Sequence, residues 1–226
     1  TLFQIVKIKM LYTQIIPLLQ AQNLIGSSGV ISFNLLGVNV HVSTKDVIGG
    51  LLQDWFGNWM TLNGFSWQPG PNAQSWPDFI LGDGTHLEFK AFDGTASPNF
   101  DLANFDAFTR SLLTEPERLD TDHLVFEYFL QAGGIVTINN IWVKKIWEMA
   151  GPSDTNILNL QVKQGVPVNI RPKNWRSNSP RITFFGQRLD FVIALDQALQ
   201  HFYPNRHINW LATVQQNYLI RTGQVL

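Results

Sequence analysis

The chain has 226 residues, of which 45% are hydrophobic and 12% aromatic, and its net charge is −1. That length and apolar content can bury a core without cross-links, which excludes a disordered chain, and the absence of cysteine excludes disulfides, thiolate zinc sites and cysteine nucleophiles. No run reaches the roughly 18 to 20 apolar residues of a membrane span, and the opening TLFQIVKIKM lacks a signal-peptide cleavage pattern, so the chain reads as soluble and intracellular.

Residues Leu2–Leu24 space their apolar positions by three and four. This predicts a helical N-terminal extension over 1–25, in two pieces because Pro17 interrupts it. Gly26-Ser27-Ser28-Gly29 punctuates, and VISFNLLGVNVHV alternates around Gly37, predicting a hairpin or two short strands. Ser43 and Thr44 stand as N-caps for a helix over KDVIGGLLQDWFGNWM. A polar loop, QPGPNAQSW, then leads to PDFIL, a turn and HLEFKAF, read as two strands of a hairpin.

A helix is predicted over FDLANFDAFTRSLL, and strands at HLVFEYFL, IVTI and LNLQVKQG, while IWVKKIWEM stays open between strand and helix. NIRPKNWRSNSP reads as a basic loop, and DFVIALDQALQHF as a terminal helix with a 3.6-residue apolar period. No repeat or linker appears, so residues 1–226 read as a single α/β domain with a mixed central β-sheet flanked by helices.

The small net charge is unevenly spread. Leu160–Asp190 carries Lys163, Arg171, Lys173, Arg176, Arg181 and Arg188 against Asp190 alone, whereas Asp78–Asp122 holds ten acids against Lys90, Arg110 and Arg118. Because screening confines exposed charges to about 8–10 Å, a local basic stretch can bind phosphates on a near-neutral protein. A solvated basic loop is the alternative. The five histidines show no HExxH-type pairing, so a metal would take oxygen ligands.

Chemistry concentrates at PDFIL and HLEFKAF. Glu88 and Lys90 share one face of a strand, and the preceding hairpin folds Asp78 back beside them. Two carboxylates converging at a strand edge suit a hard cation, Mg2+, which typically takes one or two carboxylates with waters and substrate phosphate. Held by Asp78 and Glu88, it would supply a Lewis acid for phosphodiester hydrolysis, with Lys90 orienting the attacking water and offsetting growing negative charge. The competing reading is a solvated strand face with Asp78 closing a turn. The apolar residues on both sides favour a largely buried sheet, in which unpaired charges are costly unless a ligand is bound.

WPDFIL…HLEFKAF resembles the PD-(D/E)XK nuclease motif, with Asp78, Glu88 and Lys90 matching it position by position. The likeness continues through KAFDGTASPNFDLANF, ERLDTDHLVFEY, INNIWVKKIWEM and LNLQVKQGVPVNIRPKNW, which resemble type II restriction endonucleases of the NgoBV/NlaIV group from roughly Gly29 to Trp175. The resemblance implies a restriction-endonuclease-like core and a bacterial, hence cytoplasmic, enzyme. It also implies cleavage of double-stranded DNA at a short palindrome, GGNNCC for this group, beside a cognate DNA methyltransferase. A palindrome pairs the two-fold symmetry of DNA with that of a homodimer. A repair or recombination nuclease, and a non-catalytic DNA-binding module of the same fold, are the alternatives.

Many nucleases of this class carry an acidic residue on the helix before the hairpin. The candidates are the neighbours Gln53 and Asp54, about 100° apart on a helix, and Asp54 is preferred as a further catalytic residue. For DNA contacts the candidates are Arg171, Lys173, Asn174 and Arg176 in the basic loop and Lys163, which shares a strand face with Gln161.

Overall fold

The computed structural model describes residues 9–71 and 76–226. Its elements in chain order are α1 (Ile16–Ala21), β1 (Ser28–Val30), β2 (Ser32–Leu35), β3 (Val38–His41), α2 (Ile48–Leu62), β4 (Trp67–Pro69), β5 (Phe79–Leu81), β6 (His86–Asp93), β7 (Ala103–Asn104), α3 (Phe105–Ser111), β8 (Asp122–Gln131), β9 (Ile135–Lys145), α4 (Ile146–Met149), β10 (Leu160–Lys163), β11 (Val166–Ile170), α5 (Arg188–Phe202) and α6 (Trp210–Thr222). They fall into two compact units. One holds the chain up to Ala96 together with Asp122–Val143, the other Ser97–Thr121 together with Lys144–Leu226.

The first unit is built on a six-stranded sheet of order β1-β9-β8-β6-β5-β4. β6 and β8 run parallel, while β4–β5, β5–β6 and β1–β9 are antiparallel, which is the mixed sheet expected. Along β6, Leu87 and Phe89 turn to the face covered by α2, whose Phe56 ring meets Phe79 at 5.5 Å, Phe89 at 5.7 Å and Phe126 at 6.4 Å. Fully buried Phe56 adds about 2 kcal/mol by removing its ring from water. Gly57 lets the helix come this near: a Cβ there would lie 3.0 Å from the Trp67 ring. Glu88 and Lys90, one residue out of phase, point to the opposite face.

Pro17 does not break the N-terminal helix in two. A π-helical turn at Leu11–Ile15 runs directly into α1, and Pro17 sits in its first turn, where a missing N–H costs little. Leu11, Ile15 and Leu19, four apart, form its buried stripe. Residues 1–8 of the expected extension, and 72–75 of the expected polar loop, lie outside the described residues. Ser43 and Thr44 do not cap α2, which starts after Val47 with no side-chain cap.

In the second unit β10, β11 and β7 form a three-stranded sheet beside α3, α5 and α6. The helix expected over FDLANFDAFTRSLL shortens to α3, because the Asn104 side chain accepts the Ala107 N–H at 2.9 Å and fixes the start there. IWVKKIWEM is extended through Lys145 and then forms the single turn α4. DFVIALDQALQHF becomes α5 but is not terminal, since α6 follows. Gln215, Gln216 and Asn217 mask its apolar stripe of Trp210, Val214 and Tyr218, all buried. Its anchors are polar as well: the Trp210 indole N–H donates to the Thr109 carbonyl at 2.9 Å and the Asn217 amide to the Leu113 carbonyl at 2.7 Å. Among the described residues no helix is long and apolar enough to cross a membrane.

Candidate active site

Strand pairing explains why Asp78 meets the residues of β6. The β5–β6 ladder pairs Phe79 with Leu87 and Ile80 with His86, so its next step would set Asp78 opposite Glu88. There β5 has ended, and the Asp78 carboxylate replaces it: Oδ2 accepts the Phe89 backbone N–H at 2.7 Å. That hydrogen bond ties Asp78 to the stretch of backbone between Glu88 and Lys90. On the other side, Gln53 of α2 donates its amide to Asp78 Oδ1 at 3.2 Å. Lys90 Nζ contacts Glu88 Oε2 at 2.9 Å, with both side chains mostly buried.

Burial pushes the Asp78 carboxyl up to about 6, reinforced by the charge of Glu88, while Lys90 and the Phe89 N–H act in the opposite direction. Two carboxylates are thus held together at an electrostatic cost. A divalent cation would relieve it. Among the described residues no group of three or more His, Cys, Asp and Glu is placed to hold a metal. The donors present are therefore two carboxylate groups, which fit a hard cation that completes its shell with water and phosphate, and do not fit an all-protein zinc cage.

The preference for Asp54 does not match this geometry. Asp54 is exposed, whereas half-buried Gln53 reaches the site. The helical pattern held the signal: Gln53 precedes buried Phe56 and Gly57 by three and four residues, but Asp54 precedes exposed Asn58 by four. Removing the Gln53 amide with Gln53→Ala should slow cleavage roughly tenfold, a loss of one hydrogen bond to a charged group, while Asp54→Ala stays near the parent rate. Equal losses in single-turnover assays would contradict this ordering. The parallel register also sets buried His123 of β8 beside Glu88, a neighbour the sequence reading did not foresee.

The proposed DNA contacts all lie in the second unit. Arg171, Lys173, Asn174 and Arg176 follow β11 in one loop. Arg171 is tied within its unit, with Nε 3.0 Å from Asp101 Oδ1 and a terminal nitrogen donating to the Asn99 carbonyl at 2.6 Å. Asn174 Nδ2 donates to Ser97 Oγ at 3.4 Å. Lys163 is exposed at the end of β10, and the register shift between Gln161 and Val162 places the extra residue, Val168, on β11, so Gln161 and Lys163 stay two apart along an unbulged strand.

A mixed sheet that sets Asp78, just ahead of β5, beside Glu88 and Lys90 within β6 has the arrangement of the PD-(D/E)XK nuclease core. A family model, NgoBV restriction endonuclease, matches residues 9–226. The chain belongs to that family and is a type II, site-specific endonuclease. It is 36% identical over 195 residues to the type II restriction enzyme NlaIV of Neisseria lactamica, covering 84% of this chain and 80% of that one. To the type II restriction enzyme NgoBV of Neisseria gonorrhoeae it is 31% identical over 152 residues, 65% of this chain and 86% of the relative. A solved structure of NlaIV restriction endonuclease superposes with a TM-score of 0.86 at 33% identity, over 95% of this chain and 91% of the other.

Proposed function

We propose that Asp78 and Glu88 hold Mg2+ and, with Lys90, hydrolyse one phosphodiester in each strand of double-stranded DNA at a short palindrome, GGNNCC. The observation that carries this reading is the pair of carboxylates drawn together by the Phe89 and Gln53 hydrogen bonds, with Lys90 against Glu88. When bound, the cation supplies Lewis acidity to the phosphoryl group. Asp78, fixed through both carboxylate oxygens, sets the position of that charge. Lys90 places a positive charge on the same strand face, where it orients the water and offsets charge growing on the non-bridging oxygens. Water attacks phosphorus, the bond to the leaving oxygen breaks, and that oxygen takes a proton.

In this reading residues 1–226 form one nuclease domain, since the family match runs through both compact units. Lys163, Arg171, Lys173, Asn174 and Arg176 contact DNA, Arg171 from a position where it also pairs with Asp101. The enzyme works as a homodimer in the bacterial cytoplasm beside a DNA methyltransferase that protects the same sequence. Incubation with unmethylated plasmid carrying GGNNCC sites should give discrete fragments with magnesium and none with EDTA, their ends mapping to that sequence. Magnesium-dependent fragments ending at another sequence would overturn the site, and cutting in EDTA would overturn the metal.

A further inference from the structure

Strand β6 lies between β5 and β8, so a residue on it can be flanked from both sides. At Glu88 both flanking residues are titratable. The antiparallel ladder with β5 runs out toward Asp78, whose carboxylate accepts the Phe89 N–H at 2.7 Å, and the parallel ladder with β8 pairs Glu88 with His123. Residues paired across neighbouring strands, about 4.8 Å apart, put their side chains on one face. Asp78, Glu88 and His123 therefore stand in a row across the sheet, on the face that also carries Lys90, and all belong to the same compact unit.

The β8 side of this row is closed. His123 is 3% exposed, and Val125, the partner of Lys90 on the same face, is fully buried. A valine fills such a place without loss, whereas a buried imidazole gives up water at both ring nitrogens. Beside a carboxylate that choice has a use, because an aliphatic wall would also strip Glu88 of polar surroundings on that side. Glu88 is a rotamer-rich side chain with one oxygen, Oε2, held at 2.9 Å by Lys90. Sharing a cation with Asp78 requires its carboxylate to stay on the Asp78 side. His123 is not a further ligand, since among the described residues no three His, Cys, Asp or Glu are placed to hold a metal.

We propose that His123 is a positioning residue for the hydrolytic centre: it bounds Glu88 on the β8 side and keeps its carboxylate turned toward Asp78. This rests on the reading of Asp78 and Glu88 as the metal-holding pair. Its consequence falls on metal affinity more than on the chemical step, because the groups that touch the phosphate are unchanged.

Mn2+ uptake by the full chain, followed by electron paramagnetic resonance of the free ion, tests it without cleavage. His123→Leu keeps the packing and loses the ring nitrogens, and should weaken Mn2+ binding by about tenfold, the lower end of what groups supporting a metal ligand contribute. His123→Gln, which retains a polar amide, should bind within about threefold of the parent. In single-turnover cleavage the half-saturating magnesium concentration of His123→Leu should rise about tenfold, with the rate at saturation changed by less than about threefold. Circular dichroism should show both variants folded; if His123→Leu does not fold, His123→Ala supplies the same comparison. Mn2+ binding by His123→Leu equal to the parent's, or equal weakening in His123→Gln, would reduce His123 to a packing residue and overturn the proposal. A parent protein that takes up no Mn2+ would instead overturn the metal-holding reading of Asp78 and Glu88, and this inference with it.

Discussion

Replacing Lys90 with methionine should lower the single-turnover rate of DNA cleavage by roughly 10³-fold, the scale on which removing one preorganised charge from a reacting centre acts. Lys90 is held on the strand face it shares with Glu88, its Nζ 2.9 Å from Glu88 Oε2 and its side chain 20% exposed, so its charge is directed at the site. Methionine keeps most of the packing volume, and the fold should persist. Without the ammonium group, Asp78 also loses one of the groups that lower its pKa. Rapid-quench assays at saturating protein give the rate, and gel shifts in calcium report binding, which should change by less than about threefold if phosphate contacts elsewhere dominate affinity. A parent-like rate would remove Lys90 from the chemistry.

The second large effect is on stability and has the opposite sign. The Asp78 carboxyl is raised from 3.8 to about 6 in the folded protein, burial being the larger cause and Glu88 the next. A carboxyl whose folded value lies above its unfolded one contributes stability that is present below pH 3.8 and lost as pH rises through about 6. Asp78→Asn removes the charge but keeps an oxygen to accept the Phe89 N–H, and the Gln53 amide can turn to present its oxygen. In EDTA this variant should therefore be more stable than the parent by roughly 2 kcal/mol at pH 8, with the difference shrinking toward pH 5. Urea unfolding at the two pH values measures it. The same variant should not cleave DNA, so a gain in metal-free stability accompanies a loss of activity. An Asn variant less stable than the parent at pH 8 would contradict the electrostatic picture.

The alternation of HLEFKAF was enough to put Glu88 and Lys90 on one strand face, and the turn before it was enough to return Asp78 to their side. What the sequence could not show was the Phe89 N–H reaching Asp78 Oδ2, because this depends on where β5 stops pairing. Weighing Gln53 against Asp54 required knowing which stripe of α2 is buried: Phe56, Gly57 and Met60 are, and Gln53 is the neighbour whose amide reaches Asp78. Helix α6 escaped notice because its stabilising contacts are with carbonyls and an acid: Trp210 with Thr109, Asn217 with Leu113, and Tyr218 with Asp120. Arg171 shows another limit: its ion pair with Asp101, seventy residues earlier in the chain, has no local signal in the basic loop.

The central claim is that Asp78, Glu88 and Lys90 form the hydrolytic centre, and a charge-only change at Glu88 tests it most directly. On a duplex holding one GGNNCC site, with saturating protein and magnesium, the parent should cut both strands within the site. Glu88→Gln should bind that duplex and leave it intact. Cleavage by Glu88→Gln at the parent rate would place the chemistry elsewhere in the chain.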